Sequence, residues 1–231
     1  MFRDKYKDEN YFQKKYDFNF KTFERREGKE HKERVLPQYI NRYYLSQSGY
    51  AEKLLRINYS LGHSLDEVFK WLKISLNYYQ KYYQTRGSIY TLIDYLSLAV
   101  LFEDRKEEFI EDVEKIFSKY QSFVDSGEQY EDGFIETLAL YLLKGEVENF
   151  HSHLEYLNMI GNDADSVIEA QKFWYYAHSE ASWYDTHKTD DAYYGYWSFD
   201  TAALCKMRGI YDERLKDLDF FPYDLLVQEE N

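Results

Sequence analysis

The sequence predicts an all-α fold, built as irregular helical hairpins packed into a two-part bundle of roughly eight to ten helices. Three observations lead there. Two prolines, Pro37 and Pro222, and ten glycines interrupt 231 residues, far too few for a turn-rich β architecture. Apolar residues recur at helical spacing over long windows, whereas strand-type alternation never persists. Glycines and capping residues fall where the periodic stretches begin and end.

The elements follow in order. In "DENYFQKKYDFNFKTFERRE", Phe12, Tyr16, Phe20 and Phe23 share one helix face. "GKEHKERV" around Gly28 reads as a connection or a charged first turn. A long helix begins at Leu36, with Pro37 in its first turn and Gly62 at its end. Ser64 and Glu67 form a capping box for the next helix, whose face carries Val68, Trp71, Leu72, Ser75 and Tyr79 and which Gly87 closes. "SIYTLIDYLSLAVLFED" is apolar nearly all round and should be the most buried helix. A second capping box, Asp104 to Glu107, precedes a stripe of Phe109, Ile110, Val113, Ile116, Phe117 and Tyr120, and Gly127 punctuates the loop beyond. "EDGFIETLALYLLKG" and "EVENFHSHLEYLNMIG" read as a short antiparallel helix pair ended by Gly145 and Gly161. "NDADSVIEAQKFWYYAHSEASWYDTH" reads as one long helix starting among acids, which suit a helix N-terminus. A polar loop, the stretch "YYGYWSFDTAALCKMRG" and a tail of one helical turn plus a proline-containing segment complete the chain. No consistent 34-residue repeat signature is present, so this is not a repeat array.

Charge is distributed unevenly. Residues 1–86 carry 18 Lys and Arg against 11 Asp and Glu, and residues 87–231 carry 11 against 31, for a net charge of −13. The sign change places a soft boundary near residues 85–87, between a mildly basic region (1–86) and an acidic domain (87–231). The acidic part should repel nucleic acid and anionic lipid and attract cationic partners. The single cysteine, Cys205, excludes an intrachain disulfide and a cysteine metal site, which points to a reducing cytoplasm. "MFRDKYKDENYFQKKYDF" has no apolar signal core, and "YTLIDYLSLAVLF" is interrupted by Asp94 and too short to span a bilayer.

Catalytic patterns are wanting. His151 and His153 would diverge by about 200° on a helix and could not share a metal. "HSEASWYDTHKTDD" gathers His178, Glu180, Asp185, His187, Asp190 and Asp191, but lacks the His-Glu-x-x-His order. On one straight helix His178 and His187 would lie about 13 Å apart, so the cluster reads as an acidic rim. There is no Gly-x-Ser-x-Gly elbow and no Walker-type loop. Cys205, beside Ala202, Ala203 and Leu204, reads as a small core residue. The basic residues of the N-terminal region are interleaved with acids, as on a solvated amphipathic helix and unlike a nucleic-acid stripe. In the aromatic stretch, Gly195 permits a sharp turn or a close approach, and Trp197, Thr201 and Leu204 line one helical face beside Phe199, Ala202, Ala203 and Met207. That composition describes packing and contains no acid, base or nucleophile set.

The same stretch resembles the C-terminal signature of the PoNi-type immunity proteins. The first block is Tyr193, Gly195, Tyr196, Trp197, Phe199 and Asp200, running into Ala202 and Ala203; the second is Phe221, Pro222, Asp224 and Leu225. Asp200 stands where the family more often has Glu. The resemblance covers the last 40 or so residues closely, and "YINRYYLSQSGYAEKLLRINYSLG" resembles the companion N-terminal domain only loosely. It implies an all-helical cytoplasmic protein, encoded beside a polymorphic DNase toxin of the PoNe type and used in competition between bacteria. Such a protein binds the nuclease domain and neutralises it. It is not an enzyme and needs no catalytic residue, cofactor or metal.

A DNase cleft must hold a polyanion and is basic, so an acidic helical face complements it and speeds encounter. Charge clustering nominates Glu128, Glu131 and Asp132 in one loop, Asp163 and Asp165 in another, and Asp185, Asp190 and Asp191 before the signature, with Trp183 or Tyr184 as aromatic anchor. Two other readings compete: a helical scaffold or regulator with no nuclease partner, and a metal-dependent hydrolase using His178, His187 and neighbouring acids.

Overall fold

Asp8 opens the first helix by accepting the Tyr11 N–H at 2.8 Å, and α1 runs Glu9–Glu27. The computed structural model describes residues 1–83, 89–147, 149–189 and 192–228. Phe12 and Phe23 of α1 are buried and Tyr16 and Phe20 pack on the core's edge, as their spacing requires. The short α2 (Lys29–Arg34) buries nothing. A 3₁₀ turn at Pro37–Tyr39 leads into α3 (Ile40–Leu61), which Gly62 ends in the left-handed conformation. Ser64 accepts the Glu67 N–H at 3.3 Å and starts α4 (Leu65–Tyr82). The tight connection folds α4 back along α3, and α1 packs against α3, giving a three-helix layer.

Next comes α5 (Ile89–Leu101), buried almost continuously from Leu92 to Leu101. It lies against α4, against α7 (Gly133–Lys144) and against α10 (Phe199–Arg208), and so occupies the middle of the molecule. The helix α6 (Ile110–Asp125) bridges α4 and α7. The remaining helices are α8 (Glu155–Asn158), α9 (Ala164–Ala177) and α11 (Tyr223–Val227). One connected core contains side chains from Phe12 of α1 to Leu226 of α11. The fold is all-α, with no strand among the described residues. The expected boundary at 85–87, with the Gly87 stop, lies outside the described residues.

The structure corrects three sequence expectations. The Asp104–Glu107 capping box does not form: Glu103–Glu108 is a 3₁₀ stretch and α6 starts later, behind Phe109. Arg105 leaves helical geometry because its guanidinium lies 3.6 Å over the Phe69 ring and pairs with Asp66. The segment before Gly161 is not a helix beyond the single turn of α8. There Asp132 accepts the Ser152 hydroxyl (3.0 Å) and the His153 N–H (2.9 Å), so side chains satisfy backbone groups that a helix would have paired. Finally, α9 stops at Ala177. The Tyr196 hydroxyl donates to the Trp183 carbonyl at 3.0 Å and accepts the His187 N–H at 3.1 Å, holding residues 183–188 in turns. His178 and His187 therefore do not share a helix.

The N-terminal segment crosses over the C-terminal part. The Arg3 N–H donates to the Ser60 carbonyl at 2.9 Å, and its guanidinium pairs with Asp224 of α11 at 2.6 Å. Asp4 accepts from the Tyr193 hydroxyl, and Tyr6 stacks on Phe220.

Candidate partner-binding surface

The aromatic stretch before α10 is a packing knot. Tyr193, Tyr196, Trp197 and Phe199 are all buried. Gly195 has φ +99°, and a Cβ there would lie 2.3 Å from the Ser60 hydroxyl. Trp197 Nε1 donates to that same hydroxyl at 3.0 Å. Asp200, buried inside α10, accepts from Trp174 Nε1 (3.1 Å), from the Thr201 N–H (2.7 Å) and from the Tyr156 hydroxyl, and so ties α8 and α9 to α10. The Ser198 N–H donates to the Phe220 carbonyl at 2.9 Å, joining the first signature block to the second. Burial pushes the Cys205 thiol up to about 12, which leaves it inert.

The nominated residues separate into different roles. Glu128 and Glu131 are exposed on the α6–α7 loop, flanking Tyr130, which is 85% exposed. Asp132 corrects the expectation: it is 1% exposed and caps α7 through the Phe134 and Ile135 N–H groups, so it offers no charge to a partner. Asp163 caps α9 by accepting the Ser166 N–H at 2.9 Å, and Asp165 pairs with Arg214 at 2.7 Å; both remain on the surface. Trp183 is half-buried, stacked on Trp174 at 5.6 Å. Tyr184 stacks on Tyr175 at 4.5 Å. Asp185, with φ +61°, accepts from the Tyr175 hydroxyl (2.8 Å) and from Lys188 (2.7 Å), bonds that hold its carboxyl below the usual range. Asp190 and Asp191 lie outside the described residues. The fold thus places Asp163 and Asp165 at the N-terminal end of α9, sets Trp183, Tyr184 and Asp185 beside its C-terminal end, and leaves Glu128 and Glu131 on a separate loop.

Sequence reasoning missed the outward face of α9. Asp165, Glu169, Phe173 and Tyr176 follow one another at helical spacing, opposite the buried Val167, Ala170, Gln171 and Trp174. Phe173 is 52% and Tyr176 69% exposed. The signal was present in the phase: these two aromatics fall out of register with the buried stripe. Beside this face, α9, residues 184–188, residues 217–220 and Tyr6 enclose a cleft of about 620 Å³.

Two family models match the chain: PoNe immunity protein (PoNi), N-terminal, over residues 3–113, and PoNe immunity proteins (PoNi), C-terminal, over residues 131–225. The chain belongs to the PoNi family. No curated protein and no solved structure matches it. PoNi proteins are inhibitors and not enzymes. The close approach of Gly195 to the Ser60 hydroxyl in this PoNi protein joins its two matched regions.

His178 is buried, its Nδ1 donates to the Trp174 carbonyl at 2.7 Å, and burial lowers its pKa, so the ring is neutral at pH 7. Burial also lowers His187, against the pull of Asp185. Among the described residues, no group of three or more His, Cys, Asp or Glu side chains could hold a metal ion. Nor, among them, is any helix long and apolar enough to cross a membrane.

Proposed function

We propose that this PoNi protein binds the nuclease domain of a cognate PoNe-type DNase toxin in the cytoplasm, and neutralises it during competition between bacteria. The binding surface is the acidic C-terminal part, residues 87–231, and the mildly basic region 1–86 serves as its support. The observation that carries this reading is the charge asymmetry: 31 acids against 11 bases in a part whose family is one of nuclease immunity. A nuclease cleft shaped for a polyanion presents a basic surface, and an acidic partner is drawn to it with association rates of up to about 10⁸–10⁹ M⁻¹s⁻¹ at low salt. The exposed aromatics of α9, Phe173 and Tyr176, supply the apolar centre that affinity needs, with Tyr184 and Asp185 beside them and Glu128 and Glu131 as a second, separate contact.

The test is co-expression with the nuclease encoded next to this gene, followed by a DNA-cleavage assay on the purified components. A stoichiometric complex that stops cleavage is the expected result. Full nuclease activity in a tenfold excess of this protein would overturn the reading, and a stable complex with no effect on cleavage would favour a scaffold instead.

A further inference from the structure

We propose that the Tyr196 hydroxyl is a positioning group for partner recognition: it holds residues 183–188 in the shape that the partner meets. The inference rests on the reading that a nuclease domain docks on α9 and its surroundings, and names what keeps that surface in order.

The segment 183–188 continues the outward face of α9. Tyr184 stacks on Tyr175 (4.5 Å, 29°), and Tyr175 meets Tyr176 edge-on at 5.8 Å. One row of rings therefore runs from the segment to the exposed part of the helix. The Tyr175 hydroxyl donates to Asp185 at 2.8 Å and ties the two together. Lys188, which is exposed, pairs with the same carboxylate at 2.7 Å.

The backbone of this segment supplies little order of its own. Its N–H groups reach back three residues, Tyr184 to Ala181, Thr186 to Trp183 and Lys188 to Asp185, at 3.0, 3.2 and 2.9 Å. Bonds of that 3₁₀ kind are poorly aligned and rarely persist over a long run. Asp185 adds a φ of +61°, a conformation that a non-glycine residue keeps only when its neighbours impose it.

Tyr196 imposes it from the core side. Its ring is 4% exposed and lies 5.1 Å from that of Trp183. Its hydroxyl donates to the Trp183 carbonyl at 3.0 Å and accepts the His187 N–H at 3.1 Å, with Thr186 Oγ1 3.1 Å and His187 Nδ1 3.2 Å from the same oxygen. It is the sole acceptor of the His187 N–H among the described residues. One oxygen atom thus bridges the two ends of the segment, with Tyr184 and Asp185 between them. Phenylalanine at 196 would keep the ring and orphan that N–H, and the segment would open to find water for it. A binding surface that must be re-formed on contact loses affinity in proportion to the fraction of molecules that hold it beforehand.

The test compares Tyr196→Phe with Tyr95→Phe, which loses one buried hydroxyl bond, to Ser48 at 3.0 Å, between α5 and α3. Each should lower the thermal unfolding midpoint by no more than about 4 °C. In hydrogen exchange followed by NMR, the His187 and Lys188 amides should exchange about tenfold faster in Tyr196→Phe alone. The dissociation constant for the cognate nuclease domain, read by calorimetry, should rise about tenfold in Tyr196→Phe and change less than about twofold in Tyr95→Phe. Unaltered exchange at residues 187–188, unaltered affinity, or an equal loss of affinity in both variants would each overturn the inference. Thr186→Val, which removes a 2.7 Å bond to the same Trp183 carbonyl, should move exchange and affinity in the same direction, and it decides the matter if Tyr196→Phe does not fold. Should wild type fail to bind the nuclease at all, the proposed function fails, while exchange in Tyr196→Phe still decides whether the hydroxyl orders the segment.

Discussion

Residues 193–199 and the outward face of α9 both carry aromatic side chains and put them to opposite uses. Tyr193, Tyr196, Trp197 and Phe199 are packed out of reach of any partner, and Phe173 and Tyr176 stand in solvent. The stretch that marks the family holds the molecule together, through Gly195 against Ser60 and Asp200 against Trp174 and Tyr156. The stretch suited to recognise a partner lies on a helix whose outer residues touch little of the core. That division lets outer residues of α9 change without disturbing the scaffold.

The comparison breaks most visibly where packing is removed. Trp197→Ala should lower the free energy of unfolding by about 3–5 kcal/mol, read from urea denaturation, since it deletes a buried indole and its bond to Ser60. Gly195→Ala should cost about 2–3 kcal/mol, because it adds a clash at Ser60 to a positive φ that L-residues avoid. On α9 the expectation reverses. Phe173→Ala and Tyr176→Ala should shift stability by no more than about 0.5 kcal/mol. Each should raise the dissociation constant for the nuclease domain about tenfold, a 1.4 kcal/mol effect. A large stability loss with unchanged binding at Phe173 would erase the distinction drawn here.

Glu27 sharpens it, as a carboxylate that is structural in spite of its charge. Burial pushes its pKa up, but bonds from Lys32, Tyr78, Tyr43 and Gln47 outweigh this and hold it at about 2 against an ordinary 4.5. Its stabilisation is therefore fully present above pH 4.5 and is lost as the pH falls toward 2. Glu27→Gln should cost about 1 kcal/mol at pH 7, and progressively less below pH 4.5, in denaturation curves taken across that range. The smallest effect belongs to an exposed charge. Glu169→Lys should slow association with the nuclease a few-fold at low salt, and the difference should vanish by about 0.5 M salt.

What the sequence made legible was local. The Ser64 cap, the α4 stripe and the Gly62 stop depend on residues a few positions apart, and they appear as read. The Asp104–Glu107 box failed because Phe69 and Asp66, distant in sequence, capture Arg105. Asp132 read as a surface acid because its partners, Ser152 and His153, lie twenty residues further on. Phe173 and Tyr176 went unnoticed because periodicity places aromatics on a helix without saying which face will find a neighbour. Gly195 was legible as a close approach, though the identity of Ser60 as its neighbour was not.

The ion pair between Arg3 and Asp224 spans 221 positions of chain. On a ribosome adding about 5–20 residues per second, Arg3 waits roughly 10–40 s for its counterpart to be made. Tyr6, which follows it, stacks on Phe220, so this seam of the fold closes last in biosynthesis. A prematurely stopped chain would carry most of the helices and leave Arg3 and Tyr6 without their C-terminal partners.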